Sequence, residues 1–258
     1  MEVILKVTDL KKTFPMSRKQ RKLEKTDAKL KVAVDGLSFE AYKGEIFGLL
    51  GPNGAGKTTT LRILATLIHA DEGSVSINGH DVKTEPDKVR CDIGFLTSEL
   101  KLEEFFTPDY LFDFFAYLHG ISGADCVARK RRLFERFGID KFAHVKVANL
   151  STGMKQKVSI AVSIAHDPEI IIFDEPTNGL DVITSKVVTD FLIDLKNEGK
   201  TVILSTHIFS LAEKLCDRVG IIINGKMTEC DAISALCKDV DLESRFFEIY
   251  ERVTGGAE

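Results

Sequence analysis

The chain has 258 residues, 44% of them hydrophobic and 29% charged, with a formal net charge of −4. That is enough apolar material for a large core with more than one lobe around it, and the acidic balance argues against nonspecific nucleic-acid binding by the whole surface. No apolar stretch reaches the length of a bilayer span, the N-terminal residues 1–6 lack the layout of a secretion signal, and five cysteines without a C-x-x-C indicate neither a disulfide framework nor a zinc or iron–sulfur site, so a cytoplasmic protein is expected.

Strands are predicted near residues 3–10, 33–40 and 45–50. Between the first two, residues 17–31 carry seven basic and two acidic side chains. They read as an exposed basic loop extension of a hairpin, for which two readings stay open: a solvated loop, or a patch attracted to anionic lipid headgroups. The third strand runs into Gly51-Pro52-Asn53-Gly54-Ala55-Gly56-Lys57-Thr58-Thr59, a complete G-x-x-x-x-G-K-T phosphate loop that opens a helix. Backbone N–H groups of such a glycine-rich turn, with the positive end of the following helix, cradle a phosphate chain. Lys57 then reaches the β- and γ-phosphates of a nucleoside triphosphate, and the Thr58 hydroxyl suits Mg²⁺. A plain glycine turn is the bland alternative, and the filling of every fixed position between a strand and a helix argues against it.

Residues 73–79 predict a strand closed by an Asn78-Gly79 turn, and 92–97 a further short strand. Phe105, Phe106, Tyr110, Phe112, Phe114, Phe115 and Tyr117 then crowd thirteen residues, with Leu111, Phe115 and Leu118 at helical spacing. This segment shapes either a groove for a partner helix or the core of a helical lobe. Further helices are expected at 125–137, 154–166, 183–198 and 208–216, and strands at 170–174, 201–205 and 219–223. The whole of 1–258 reads as one domain: a strand-rich core from 1–97 and 166–258, interrupted by a helical insert over 98–165.

Ile170-Ile171-Ile172-Phe173-Asp174-Glu175 is an apolar strand ending in two carboxylates. Strand side chains alternate, so Asp174 is expected to face the metal and Glu175 to polarise an attacking water as a general base. A solvated turn before Pro176 is the alternative, and the phosphate loop, which calls for a metal-side carboxylate, weighs against it. His207 closes the strand 201–205 and would stand at the same sheet edge. Ser151 and Gly153, at the start of a helix, offer a second anion-binding surface.

Five motifs occur in one order: the phosphate loop, Leu150-Ser151-Thr152-Gly153-Met154-Lys155-Gln156, Asp174-Glu175-Pro176-Thr177, Gly179-Leu180-Asp181 and Ser205-Thr206-His207. With them the chain resembles, over nearly its whole length, the nucleotide-binding subunit of ATP-binding cassette (ABC) transporters. The resemblance implies an α/β P-loop NTPase core with an antiparallel β-subdomain and an inserted helical subdomain, hydrolysing ATP with Mg²⁺. It further implies a head-to-tail dimer, of identical or paired cassettes, in which Ser151, Thr152 and Gly153 of one subunit cap the nucleotide held by residues 51–59 of the other, and Asp181 lies in the loop joining the two sites. An integral-membrane permease on whose cytoplasmic face the subunit sits is implied as partner, with no nucleic acid. His207 takes the place of the switch histidine that contacts the γ-phosphate.

Thr152 departs from the family's usual glycine and Met154 from its frequent glutamine. Phe14 matches the aromatic residue that stacks on adenine, although a core phenylalanine fits as well. The position of the family's lobe-joining glutamine falls on Ser98, with Glu99 beside it as the alternative Mg²⁺ ligand. Residues 95–99 and 151–161 look closest to the ATPase subunits of sodium-exporting systems. Export of a lipid, peptide or drug-like molecule is the alternative, and a soluble cassette ATPase acting in assembly or translation is another; a single phosphate loop and a single signature weigh against the latter.

Overall fold

The computed structural model describes residues 2–23, 25–97 and 102–255; Ser98 and Glu99 lie outside the described residues. The chain begins with β1 (Val3–Pro15), a short helix α1 (Arg18–Leu23) and β2 (Leu30–Tyr42). β1 and β2 pair antiparallel from Val3 opposite Tyr42 to Pro15 opposite Leu30, so both run well beyond the predicted 3–10 and 33–40. The long hairpin ladder satisfies backbone groups that local propensity alone leaves open. On the other edge of β1 lies β4, reached after β3 (Ile46–Leu50) and α2 (Lys57–Leu64). β4 (Glu72–Ile77) turns through Asn78 and Gly79, both with positive φ, into the two-residue β5 (His80–Asp81), which gives a four-stranded sheet of order β2-β1-β4-β5.

The second sheet has the order β10-β9-β3-β8-β7-β6, built from β6 (Ile93–Thr97, after α3, Pro86–Asp92), β7 (Ile170–Asp174), β8 (Thr201–Thr206), β9 (Arg218–Ile223) and β10 (Lys226–Ala232). All neighbours pair parallel except the edge strand β10, which returns antiparallel on β9. Every residue of β3, β7 and β8 is buried, as strands covered on both faces must be. Their alternation divides the core. Phe47, Leu49, Ile170, Ile172 and Ile203 join the layer beneath the antiparallel sheet and α2, while Ile46, Leu50, Ile171, Phe173 and Leu204 face the remaining helices.

Those helices are α4 (Pro108–Leu118), α5 (Gly123–Phe137), α6 (Thr152–Ser163), α7 (Val182–Asn197), α8 (Phe209–Leu215), α9 (Ile233–Leu236) and α10 (Leu242–Thr254). α4, α5 and α6 all lie in sequence between β6 and β7, which are adjacent and in register from Ile93 opposite Ile170 to Thr97 opposite Asp174. The helical insert therefore leaves the sheet and re-enters it on the neighbouring strand. Residues 226–254 fold as β10, α9 and α10, none of which was predicted from the sequence. α10 carried readable signals: Asp241 accepts from Ser244 N at 2.7 Å as its N-cap, and Leu242, Phe246 and Ile249 bury one face. Among the described residues no helix is long and apolar enough to cross a membrane.

Candidate active site

The parallel sheet brings the C-terminal ends of β3, β7 and β8 side by side, with Asp174 level with Ser205 and Leu50 level with Thr206. Ligands of open α/β sheets bind at this edge. The loop after β3 turns through Gly56 at φ 108°, where a Cβ would come within 2.4 Å of the Ala33 carbonyl oxygen, so no larger residue fits. Gly56 is the N-cap of α2, and no side chain caps that helix, which leaves its first N–H groups to an anion.

Lys57 is 5% exposed and folds back across the loop. Its Nζ donates to the Gly51 and Pro52 carbonyls at 2.6 and 3.2 Å and lies 3.7 Å from Glu175 Oε1. Burial lowers its pKa, against the opposing pull of Glu175 and Asp174. Asp174, also buried, accepts at Oδ1 from Ser205 Oγ at 2.5 Å and from Thr58 Oγ1 at 3.1 Å. Glu175 follows with φ 54°, a left-handed conformation rare for a side-chain-bearing residue. Its N–H is shared between the Ser205 carbonyl at 3.2 Å and Ser205 Oγ at 3.1 Å. That turn aims Glu175 Oε2 at His207 Nδ1, 2.8 Å away.

These groups open into a groove of about 470 Å³ lined by Phe14, Lys31, Ala33, Asn53, Gly54, Ala55, Gly56, Lys57, Thr58, Thr59, Glu175, Asn178 and His207. Phe14 is 38% exposed at its edge, with Lys12 Nζ 5.5 Å from the ring, so it is not a core phenylalanine. Ser205 was named in the sequence only within its motif and Lys31 only within the basic run, and Ala33 and Asn178 were given no role. Ser205 had a signal, since a parallel neighbour of β7 must set some residue beside Asp174. A larger, mostly apolar cavity of about 1020 Å³ lies between α5 and α7 and contains none of these groups.

A Mg²⁺ ion fits the donors present. Among the described residues no cluster of three or more acidic, His or Cys side chains exists to hold a metal alone. Mg²⁺ needs none, because it keeps several waters and takes one or two protein oxygens beside substrate phosphates. The Thr58 hydroxyl and Asp174 carboxylate, 3.1 Å apart, are such a pair.

Ser151, Thr152, Gly153 and Asp181 do not line the groove. Ser151 caps α6, its Oγ accepting from Met154 N at 3.3 Å. Asp181 caps α7 through Oδ1, which accepts from Ile183 and Thr184 N at 2.9 Å each, and its Oδ2 accepts from Thr184 Oγ1 at 2.7 Å. The two helix starts touch: a Cβ on Gly153 would lie 2.9 Å from Thr184 Oγ1 and 3.5 Å from Asp181 Oδ2. Gln156 Nε2 donates to the Pro176 carbonyl at 3.4 Å and so ties α6 to the segment after β7.

A two-sheet α/β fold with a glycine-rich anion cradle and paired carboxylates at the parallel edge is a P-loop NTPase. Residues 34–178 match the family described as ABC transporter, and the chain belongs to that family as its ATP-binding, ATP-hydrolysing subunit. It is 39% identical over 205 residues to the ABC transporter ATP-binding protein NatA of Bacillus subtilis (strain 168), covering 79% of this chain and 83% of that one. It is 38% identical to the Nod factor export ATP-binding protein I of Paraburkholderia xenovorans (strain LB400), over 80% of this chain and 68% of that one. Among solved structures it is similar to an ATP-binding subunit of an ABC transporter, with TM-score 0.83 and 27% identity over 96% of this chain and 99% of that one. It is similar too to an ATP-binding cassette in a dimeric, post-hydrolysis state bound to ADP and Pi, with TM-score 0.77 and 26% identity over 89% and 98% of the two chains.

Proposed function

We propose that the chain hydrolyses Mg²⁺-ATP in the groove with Glu175 as general base, as one half of a head-to-tail dimer that drives an exporter permease from the cytoplasmic face of a membrane. The observation that carries this reading is the placement of Glu175, turned by its positive φ and held by Ser205 and His207 beside Lys57. Glu175 takes a proton from water as the water oxygen bonds to the γ-phosphorus and the bond to the ADP oxygen breaks, leaving ADP and phosphate. Lys57 and the N-terminus of α2 offset the charge on the phosphate oxygens, and His207 holds Glu175 in register. Thr58 and Asp174 would hold Mg²⁺, which when bound neutralises phosphate charge as a Lewis acid.

The adenine ring stacks on Phe14, which is partly exposed and lines the groove. Ser151, Thr152 and Gly153 cap the γ-phosphate of the opposing subunit, with Asp181 in the loop between sites; that none of them lines the groove of its own chain supports this. For the permease, α4 buries Leu111, Phe112 and Ala116 while Phe106, Tyr110 and Phe114 stack along its exposed side with centroid spacings of 4.5 and 6.2 Å. The aromatic segment thus serves both the core and a partner surface. Glu175→Gln keeps size and loses the base, so it should retain ATP binding while turnover falls roughly 10²- to 10⁴-fold. Equal phosphate release by wild type and variant would remove Glu175 from the role.

The cargo we propose is Na⁺, on the resemblance of residues 95–99 and 151–161 to sodium-exporting systems. A relative named for Nod factor export keeps the alternative, a lipid, peptide or drug-like cargo, in place. Sealed vesicles holding the chain with its permease, supplied with ATP on the cassette side, should move radiolabelled Na⁺ away from that side even when ionophores collapse the voltage and the proton gradient. Robust ATP hydrolysis without Na⁺ movement would overturn the sodium reading and leave the motor intact.

A further inference from the structure

The hairpin that carries Phe14 to the groove continues past it as a compact basic unit, not the open loop its composition suggests. α1 is closed by a reciprocal cap, in which Ser17 N donates to Gln20 Oε1 at 2.8 Å and Gln20 N to Ser17 Oγ at 3.2 Å. The chain then returns through Thr26 N to the Arg21 carbonyl and Met16 N to the Lys29 carbonyl, at 3.0 and 2.9 Å. α1 buries no residue, so packing does not explain it. Its far side is a concavity of about 380 Å³ lined by Arg18, Arg21, Lys22, Lys25, Thr26 and Asp27. Arg21 Nε is buried there without a hydrogen-bond partner.

Lysines of β1 behave differently. Lys6, Lys11 and Lys12 each have a carboxylate within 2.8 Å. Among the described residues no carboxylate lies within ion-pair distance of Arg18, Lys19, Arg21, Lys22, Lys25 or Lys29. In the same segment Leu23 and Leu30 are 82% and 57% exposed. Cations around a hollow with protruding leucines match an anionic bilayer surface, where phosphate headgroups meet the charges and acyl chains meet the leucines. Nucleic acid fits less well, because residues 17–31 hold no aromatic side chain to stack a base.

We infer that the basic face of residues 17–31 is a docking surface for the anionic phosphate headgroups of the bilayer. The inference rests on the membrane-associated function proposed above, but its test needs no permease. The purified full chain is centrifuged with vesicles of phosphatidylcholine alone and of phosphatidylcholine mixed with phosphatidylglycerol, and its ATP hydrolysis is measured on the same preparation. Binding to the mixed vesicles only, weakening as salt rises, is expected. Arg18→Gln, Lys22→Gln and Lys25→Gln together should lower the partition coefficient roughly a hundredfold, about fivefold per cation. The exposed control set Lys141→Gln, Lys146→Gln and Lys238→Gln should leave it unchanged. Equal loss in both sets would reduce the effect to net charge and overturn the site. Release by inorganic phosphate at matched ionic strength would make it an ion pocket, and tighter binding to single-stranded RNA than to vesicles at the same salt would make it a nucleic-acid surface; either result overturns the inference. Failure to bind vesicles with hydrolysis intact would end the lipid inference and leave the motor reading standing.

Discussion

Three helix starts in this molecule differ in what closes them. α2 begins at a left-handed glycine with no side-chain cap and points into a groove backed by three buried strands. α6 and α7 begin at Ser151 and Asp181, in extended conformation, and each accepts backbone N–H groups on its own side chain. The open start lies beside a network in which Asp174, Glu175, Ser205 and His207 each have partners from another strand. The capped pair is held by local bonds at the surface. The difference teaches that one chain leaves open the helix start at its phosphate cradle and closes the other two with its own side chains; under the proposed dimer, the surface at Ser151 is completed only by the opposing subunit's nucleotide.

The largest way to break that contrast is Ser205. Its hydroxyl donates to Asp174 and accepts the Glu175 N–H, so Ser205→Ala removes a buried hydrogen bond from the first carboxylate and loosens the turn that aims the second. Losing such a bond to a charged group costs about 1.5–3 kcal/mol, which here should appear as turnover lowered roughly 10- to 100-fold with ATP affinity changed much less. Steady-state hydrolysis beside equilibrium nucleotide binding checks it. Unchanged turnover would show that β7 and the Glu175 turn hold the carboxylates without Ser205.

Gly153 sharpens the other half. As the family resemblance has it, glycine there bares an N–H for the opposing nucleotide; the structure adds that a Cβ would press on Thr184 Oγ1 at 2.9 Å. Gly153→Ala should weaken ATP-dependent dimerisation of the Glu175→Gln chain by about tenfold, with binding to the groove retained. The double change Gly153→Ala, Thr184→Ala separates the two causes by light scattering at matched concentration. Recovery of the dimer assigns the glycine to packing between α6 and α7, and persistent loss assigns it to phosphate access.

Much of this site was legible because its chemistry is contiguous. The phosphate loop, the Asp174-Glu175 pair and His207 each sit within a few residues of an apolar run that can only be a buried strand. Ser205 was named within a motif yet given no role, because its task depends on which strand lies beside β7, and strand order is a tertiary fact. Phe14 could not be placed between core and groove, since exposure depends on how far β1 outruns its sheet. The separation of Ser151 from the groove was implied by the family resemblance and not by the residues themselves, as it follows from the helical insert leaving and re-entering the sheet between β6 and β7. In the 226–254 segment β10 is a partly exposed edge strand and α9 only four residues long, so neither carries a clear apolar period, whereas the cap and helical apolar period of α10 were readable.

The smallest effect concerns the closing caps themselves. Hydrogen bonds from the Thr184 N–H, then from its hydroxyl, hold the Asp181 carboxyl below its ordinary range, with the Ile183 N–H adding to them. A carboxyl depressed in the folded state contributes stability that is present above its unfolded pKa and lost as the pH falls through the folded one. Asp181→Ala should therefore lower the melting temperature by a few degrees at neutral pH. That difference should shrink as the pH drops below the ordinary aspartate value of about 3.9, where the wild-type side chain protonates and becomes a poorer acceptor. Asp181→Asn, which caps nearly as well without titrating, should match wild type at neutral pH and keep its cap in acid. Thermal melts of the three proteins from neutral to acidic pH decide it. An Ala-to-wild-type gap that stays constant across that range would show that Asp181 holds α7 by shape alone, and the contrast between an open and a closed helix start would lose its electrostatic part.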